Sequence, residues 1–137
     1  MANVDNPHGL RPIMRTLGGG PVATQVFKKV VGYATALFIG DAINRVADGS
    51  IEVSATPGTT AYSGVNLVHG AASTATEHIC VVSPDAVFEA QDNNDTDGLA
   101  EADMGLNANL ELNAGSASTK LSGHELDEST ANTTNSL

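Results

Sequence analysis

The acidic run QDNNDTDG, residues 91–98, is the stretch of this chain that looks most capable of chemistry. Asn93, Asp95 and Asp97 alternate and a glycine follows them, which is how a calcium loop of the EF-hand type begins. Such a loop needs a bidentate Glu at its twelfth position, and counting from Asn93 puts Met104 there. Asn, Asp and Gly are also the residues that a tight turn between strands requires. The sequence therefore favours a polar turn over a calcium site, and we expect no tight calcium binding.

His69, His78 and Cys80 raise the question of a zinc site or a thiol nucleophile. His78 and Cys80 are two positions apart, so a strand would place both on one face. Zinc needs three or four ligands at close range, and no fourth is apparent. A Cys80 nucleophile with His78 as its base would lack a third residue to orient the base. The pattern favours a buried thiol beside a surface histidine.

Motifs of hydrolases and of phosphate-binding loops do not occur. The chain contains Ser, His and Asp but no G-x-S-x-G nucleophile elbow. Gly18-Gly19-Gly20 lacks the G-K-[ST] that a phosphate loop requires. We therefore predict no enzyme, no catalytic residues, no cofactor and no metal.

Charge is distributed unevenly along the 137 residues. Residues 1–45 carry five Lys or Arg against two Asp, a net +3, whereas residues 46–137 carry one Lys against 14 acids, a net −13. An acidic body argues against binding to nucleic acid, because the phosphates would be repelled. A basic beginning indicates either an arm that contacts an acidic partner or a charge imbalance that keeps the chain in solution.

Cys80 is the one cysteine, so no disulfide within the chain is possible, which fits synthesis in a reducing cytosol. The start, MANVDNPHGLRP, lacks the order of a signal peptide. No apolar run approaches the roughly 20 residues of a membrane span, so we expect no membrane partner.

The sequence of residues 1–21 predicts an extended N-terminal arm. Pro7, Pro12 and Pro21 restrict the backbone, and three glycines at 18–20 allow a sharp bend. The arm either docks on a partner surface or folds back onto the body of its own chain. The candidate contact residues are Leu10, Arg11, Ile13, Met14, Arg15 and Leu17.

Residues 22–113 predict a β-rich core domain. Short alternating or β-branched runs are separated by turn signals such as Asp48-Gly49, and this regular spacing is typical of an all-β sandwich or small barrel. The predicted strands lie within residues 22–31, 34–40, 41–46, 50–55, 63–70, 77–83, 85–91 and 106–113.

Residues 114–137 are rich in Ser, Thr and Asn and predict an extended or partly disordered tail. With no Trp, two Tyr and three Phe, the core must be thin. We therefore expect association with a partner to supply part of the stability.

Five segments resemble a family of capsid decoration, or cement, proteins of tailed bacteriophages. NPHGLRPIMRTLGGGP (6–21) is similar to an opening N-P-x-G-x-R-P arm of that family, and YATALFIGDAINRVADGSIEVSA (33–55) to its G-D and D-G segment. DAVFEAQ (85–91), ADMGLNANL (102–110) and SGHELD (122–127) resemble its V-F-E-V-Q, D-x-G-x-N-A and S-G-x-x-L-D stretches. The acidic run at 92–98 is longer than the turn expected there, and relatives continue into further strands beyond a stretch like SGHELD.

The resemblance implies a structural protein on the outer surface of the virion, made in the bacterial host cytoplasm. Its expected partners are the major capsid protein, whose neighbouring subunits it would lock together, and itself as a homo-oligomer, most often a trimer. The alternative is a receptor- or glycan-binding module displayed on the virion. Such modules usually offer exposed Trp or Tyr, and this chain has no Trp and two Tyr.

Overall fold

The computed structural model describes residues 6–55, 62–93 and 98–133, and they fold almost entirely as β-structure. Strands make up 45% and helix 3%, so the predicted all-β fold is confirmed. Within these ranges no helix has the length and apolar character needed to cross a bilayer. The strands are β1 Arg11–Arg15, β2 Thr24–Lys29, β3 Ala42–Arg45, β4 Ile51–Val53, β5 Gly64–Asn66, β6 Thr76–Val81, β7 Ala86–Glu89, β8 Asn107–Asn113 and β9 Gly123–Asn132, with one 3-10 turn at Glu101–Asp103.

Within the described ranges the strands form three antiparallel sheets. The largest has the order β2-β6-β5-β3-β4, and the pairs β1-β7 and β8-β9 form two smaller sheets. β3 and β4 form the hairpin that Asp48-Gly49 predicts. Gly49 adopts a φ of 84°, which glycine tolerates best, and Ser50 donates its N–H to the Asp48 carboxylate.

The five-stranded sheet curls so that its two outer strands, β2 and β4, approach each other without pairing. The Arg45 guanidinium lies over the Phe27 ring at 5.3 Å across this seam. The Tyr33 hydroxyl accepts the N–H of Val53 on β4 at 3.1 Å, which satisfies one donor of that strand. Across the three described ranges no closed barrel forms, and the several sheets fit a sandwich.

The core is thin and strongly polar. Phe27, Leu37, Ile43, Ile51 and Cys80 form its apolar cluster. Among the described residues, ten apolar and ten polar side chains are buried, so hydrogen bonds must position much of the interior.

The N-terminal segment folds back onto the body, which was one of the two alternatives for residues 1–21. β1 pairs with β7, and Pro12 is tolerated there because both strands of a two-stranded sheet are edge strands. Residues 1–5 lie outside the described ranges.

The C-terminal segment differs from the tail expected at 114–137. It contains β9, the longest strand, which pairs with β8 across a register that sets Leu110 opposite Leu126 and Leu112 opposite His124. The polar sequence of β9 does not indicate a strand, because β9 is stabilised by its pairing with β8. Conversely, the strand predicted at 34–40 is reduced to isolated bridges at Leu37 and Ile39.

Candidate functional site

β1 is held firmly at its C-terminal end by Asp85. The Arg15 Nε donates to both carboxylate oxygens of Asp85 at 3.0 Å, and the Leu17 N–H donates to one of them at 3.3 Å. The hydroxyl of Ser83, and then Arg15, keep the pKa of Asp85 below its usual range. Arg15 is therefore ion-paired within its own chain, although its side chain remains 37% exposed.

Four of the six candidate contact residues are exposed on this anchored strand or just beyond its end. The exposed fractions are 58% for Ile13, 51% for Met14 and 72% for Leu17. Arg11 is exposed as well and lies 3.9 Å from Glu89, a distance that gives a weak ion pair. We call Arg11, Ile13, Met14 and Leu17 the β1 face.

The bulge in β1 explains why apolar side chains protrude there. The register passes from Pro12 opposite Phe88 to Met14 opposite Val87, so Ile13 is the extra residue of a β-bulge. A bulge bends its strand and redirects the side chain beside it.

An apolar groove of about 810 Å³ runs from the β1 face to the place where the three sheets meet. Leu10 and Ile13 line its near side. Leu10 is half-buried and donates its N–H to the Gly40 carbonyl at 2.9 Å, so it belongs to the groove wall rather than to the β1 face. The remaining apolar side chains of the wall include Val65, Val81, Val82, Phe88, Leu110 and Leu126.

Three of the segments that carry the sequence resemblance meet below β1. A Cβ on Gly9 would lie 2.4 Å from the Ser122 Cβ and 2.6 Å from the Gly40 carbonyl oxygen. Gly9 and Gly40 also have φ values of 71° and 96°, which favour glycine. The base of the N-terminal segment is thus packed between the turn before β3 and the start of β9.

A buried polar contact reinforces this junction. The Asp41 Oδ2 accepts the Phe38 N–H at 2.7 Å, and its Oδ1 lies 3.7 Å from the His124 Nε2. Ala42 donates its N–H to the other ring nitrogen of His124 at 3.2 Å. Burial lowers the pKa of His124 to about 4 and raises that of Asp41. The sequence offered no signal for this pair beyond the G-D and S-G-x-x-L-D segments themselves.

His78 and Cys80 share one face of β6, as the spacing predicts, but His78 is fully buried and the expected surface histidine is wrong. Its two ring nitrogens contact the Asn66 side-chain oxygen at 2.9 Å and the Thr76 hydroxyl at 2.7 Å. Because the Asn66 oxygen can only accept, His78 carries its proton on Nδ1. Both nitrogens are occupied, so His78 has none left to act as a base.

Burial raises the pKa of Cys80 to about 12, so its thiol stays protonated at neutral pH and is a poor nucleophile. The His69 ring packs against Phe38, with 5.3 Å between the ring centroids. Over the described parts of the chain, no three His, Cys, Asp or Glu side chains come together in a metal-binding arrangement.

The acidic run at 91–98 is only partly described, and Asp95 and Asp97 lie outside the described ranges. The backbone of Asp92 forms an isolated parallel β-bridge with Leu126, and the Asn93 side-chain amide donates a hydrogen bond to the Glu111 carboxylate at 3.1 Å. The nearest regular elements on either side are β7 and the 3-10 turn before β8, not the two helices of an EF-hand.

No protein-family model, curated protein or solved structure matches this chain.

Proposed function

We propose that this protein is a structural component of a tailed-phage virion that binds the outer surface of the assembled capsid and cements neighbouring major capsid subunits. The observation that carries the proposal is the β1 face, where apolar side chains more than half exposed stand on a strand fixed to the body. Large apolar side chains exposed together are typical of surfaces that bind another protein.

The anchoring of β1 suits a docking role. The β7 pairing and the Arg15–Asp85 contact hold the strand before any partner arrives, so less conformational entropy is lost on binding than for a free arm. Ile13, Met14 and Leu17 can insert into a crevice between subunits, and Arg11 can reach a carboxylate beside it. The groove next to Ile13 extends the apolar surface that a capsid loop could fill.

Self-association, as a trimer by resemblance, is the second part of the proposal. The polar interior provides little apolar burial for 137 residues, and neighbouring copies would add to it. The partners are therefore the capsid surface and further copies of this chain, without nucleic acid or membrane.

The glycan-binding alternative gains no support from the described residues. Tyr33 is half-buried and its hydroxyl already accepts the Val53 N–H, so its ring is not presented for stacking on a sugar. Tyr62 lies in the wall of the apolar groove.

Co-sedimentation of the full chain with assembled heads, compared with free capsid subunits, tests the proposal. Leu17→Ser and Met14→Ser each remove an exposed apolar side chain, and each should weaken head binding about tenfold or more. Val31→Ser is the matched control, because Val31 is 63% exposed and lies outside the β1 face. The proposal fails if both variants bind heads as tightly as the parent, or if the parent prefers free subunits.

A further inference from the structure

A second surface, separate from the β1 face, lies between β2 and the β3–β4 hairpin. It is a hollow of about 380 Å³ lined by Val26, Phe27, Lys28, Val30 and Arg45, with Asp48 at its rim. We call it the basic hollow. It occupies the seam where the two outer strands of the large sheet approach without pairing.

Apolar surface continues from the hollow across the sheet. Val26 lies opposite Ile79 in the β2–β6 register, and the two are 57% and 45% exposed. Val30, the residue that follows β2, is 39% exposed. An aliphatic pair directly opposite across two strands forms one continuous patch.

The hollow concentrates positive charge in an acidic protein. Of the six Lys and Arg, Arg15 is bound to Asp85, Arg11 lies near Glu89, and Lys29 is buried with its ammonium on the Ala71 carbonyl. Two of the remaining three, Lys28 and Arg45, line the hollow, and the described residues offer neither of them an ion pair.

Asp48 offsets part of this charge. Its carboxylate accepts both the N–H and the hydroxyl of Ser50, which lowers its pKa and keeps it ionised. The residues that line the hollow keep a net charge of +1 on a chain whose total is −10, and Glu77 lies opposite Lys28 in the β2–β6 register.

Residues 99–104 have the complementary character, and we call them the acidic knob. Leu99 is 58% and Met104 74% exposed, with Glu101 exposed between them. The Asp103 carboxylate accepts the Ala100 N–H at 2.8 Å and closes a 3-10 turn that gives the knob a fixed shape. Acidic and apolar side chains thus protrude together from an ordered turn.

We propose that the acidic knob of one copy docks in the basic hollow of the next. This inference rests on the self-association in the proposed function and assigns its interface. The knob and hollow do not cover one another within one chain, because Leu99, Met104 and Val26 are all exposed there. A contact between two different patches is heterologous, and it closes into a ring when the rotation between copies allows. Three copies joined this way would form the expected trimer.

Charge reversal and its rescue test the contact, read by sedimentation velocity of the full chain over a concentration series. Lys28→Glu and Glu101→Lys should each weaken self-association about tenfold or more, because each places like charges in the contact. The double variant carries both reversals and should recover most of the association. Lys120→Glu is the matched control for charge, since Lys120 is exposed and lies outside the hollow.

Met104→Ser and Leu17→Ser separate this inference from the head-binding proposal. Met104→Ser should weaken self-association, whereas Leu17→Ser should leave it unchanged. Self-association that survives both single charge reversals, fails to recover in the double variant, or is absent from the parent chain overturns the inference. A parent that self-associates through this contact but ignores heads upholds the inference and refutes only the capsid function.

Discussion

The Nε2 of His124 lies 3.7 Å from the Oδ1 of Asp41, and both side chains are buried. Since the other ring nitrogen accepts the Ala42 N–H, the proton of the neutral imidazole sits on Nε2 and faces the carboxylate. With the pKa of His124 at about 4, the contact at neutral pH joins a neutral ring to a carboxylate. It ties the start of β9 to the start of β3 without burying a charged pair.

Acid should destabilise the protein through His124. The pKa of His124 falls from 6.5 in the unfolded chain to about 4 in the folded one. Between these two values the unfolded chain binds a proton at His124 that the folded chain does not bind. The free energy of unfolding should be steady above pH 6.5 and decline as the pH falls toward 4. The loss from His124 is at most about 3 kcal/mol. Urea denaturation across this range measures it.

Two other groups modify that profile. His78, whose pKa is also lowered by burial, acts in the same direction. Asp41, whose pKa is raised, favours the folded state at low pH and offsets part of the loss. His124→Asn keeps an acceptor for Ala42 but cannot take up the proton, so its profile should be flatter. An unchanged slope in that variant would assign the effect to another group.

Gly9→Ala should destabilise the fold by about 3 kcal/mol, from strain at a positive φ added to overpacking. The new methyl group would lie 2.4 Å from the Ser122 Cβ and 2.6 Å from backbone at Gly40. Gly19→Ala is the control, because Gly19 has a φ of 60° but no neighbour within 4 Å. It should cost about 1 kcal/mol, the backbone strain alone. Equal losses in thermal or urea unfolding would show that the junction is not tightly packed.

These elements show which parts of the fold the sequence could reveal. The Asp48-Gly49 hairpin and strands β2, β6 and β8 were predictable, because turn chemistry and alternation are local signals. β9 was not, because a polar strand takes its stability from the strand opposite it.

The candidate site divides in the same way. The exposure of Ile13, Met14 and Leu17 could be predicted, because these apolar residues lie in the N-terminal segment and have no place in the predicted core. The pairing of Arg15 with Asp85 joins residues 70 positions apart, and no spacing rule predicts it. The surface position predicted for His78 was wrong, because its burial depends on hydrogen bonds between both ring nitrogens and the side chains of Asn66 and Thr76.

The Arg15–Asp85 contact should show measurable coupling in a double-mutant cycle with Arg15→Met and Asp85→Asn. The coupling should be modest because the Arg15 side chain is 37% exposed. A parallel cycle on Arg11 and Glu89, which are 3.9 Å apart and mostly exposed, should give coupling near zero. Similar coupling in both cycles would argue against a special role for Asp85 in fixing β1.

Cys80 should resist thiol reagents in the folded protein. Its side chain is fully buried, and its pKa of about 12 leaves almost no thiolate at pH 8. Labelling should become rapid in denaturing urea, and its rate under native conditions should follow the opening of β6. Fast labelling at pH 8 without denaturant would show that β6 is open to solvent.

The packing of Gly9 against Ser122 has a consequence for the order in which a newly made chain matures. The N-terminal segment leaves the ribosome first, yet the residues that Gly9 packs against are all present only when the start of β9 has been synthesised. Contacts between residues so distant in sequence form late in folding, after the local hairpins. A chain interrupted before residue 122 would therefore carry the β1 side chains but lack the Ser122 packing that fixes the base of the N-terminal segment. The proposed capsid attachment, if it depends on a fixed β1, would then exclude unfinished molecules without a separate proofreading step.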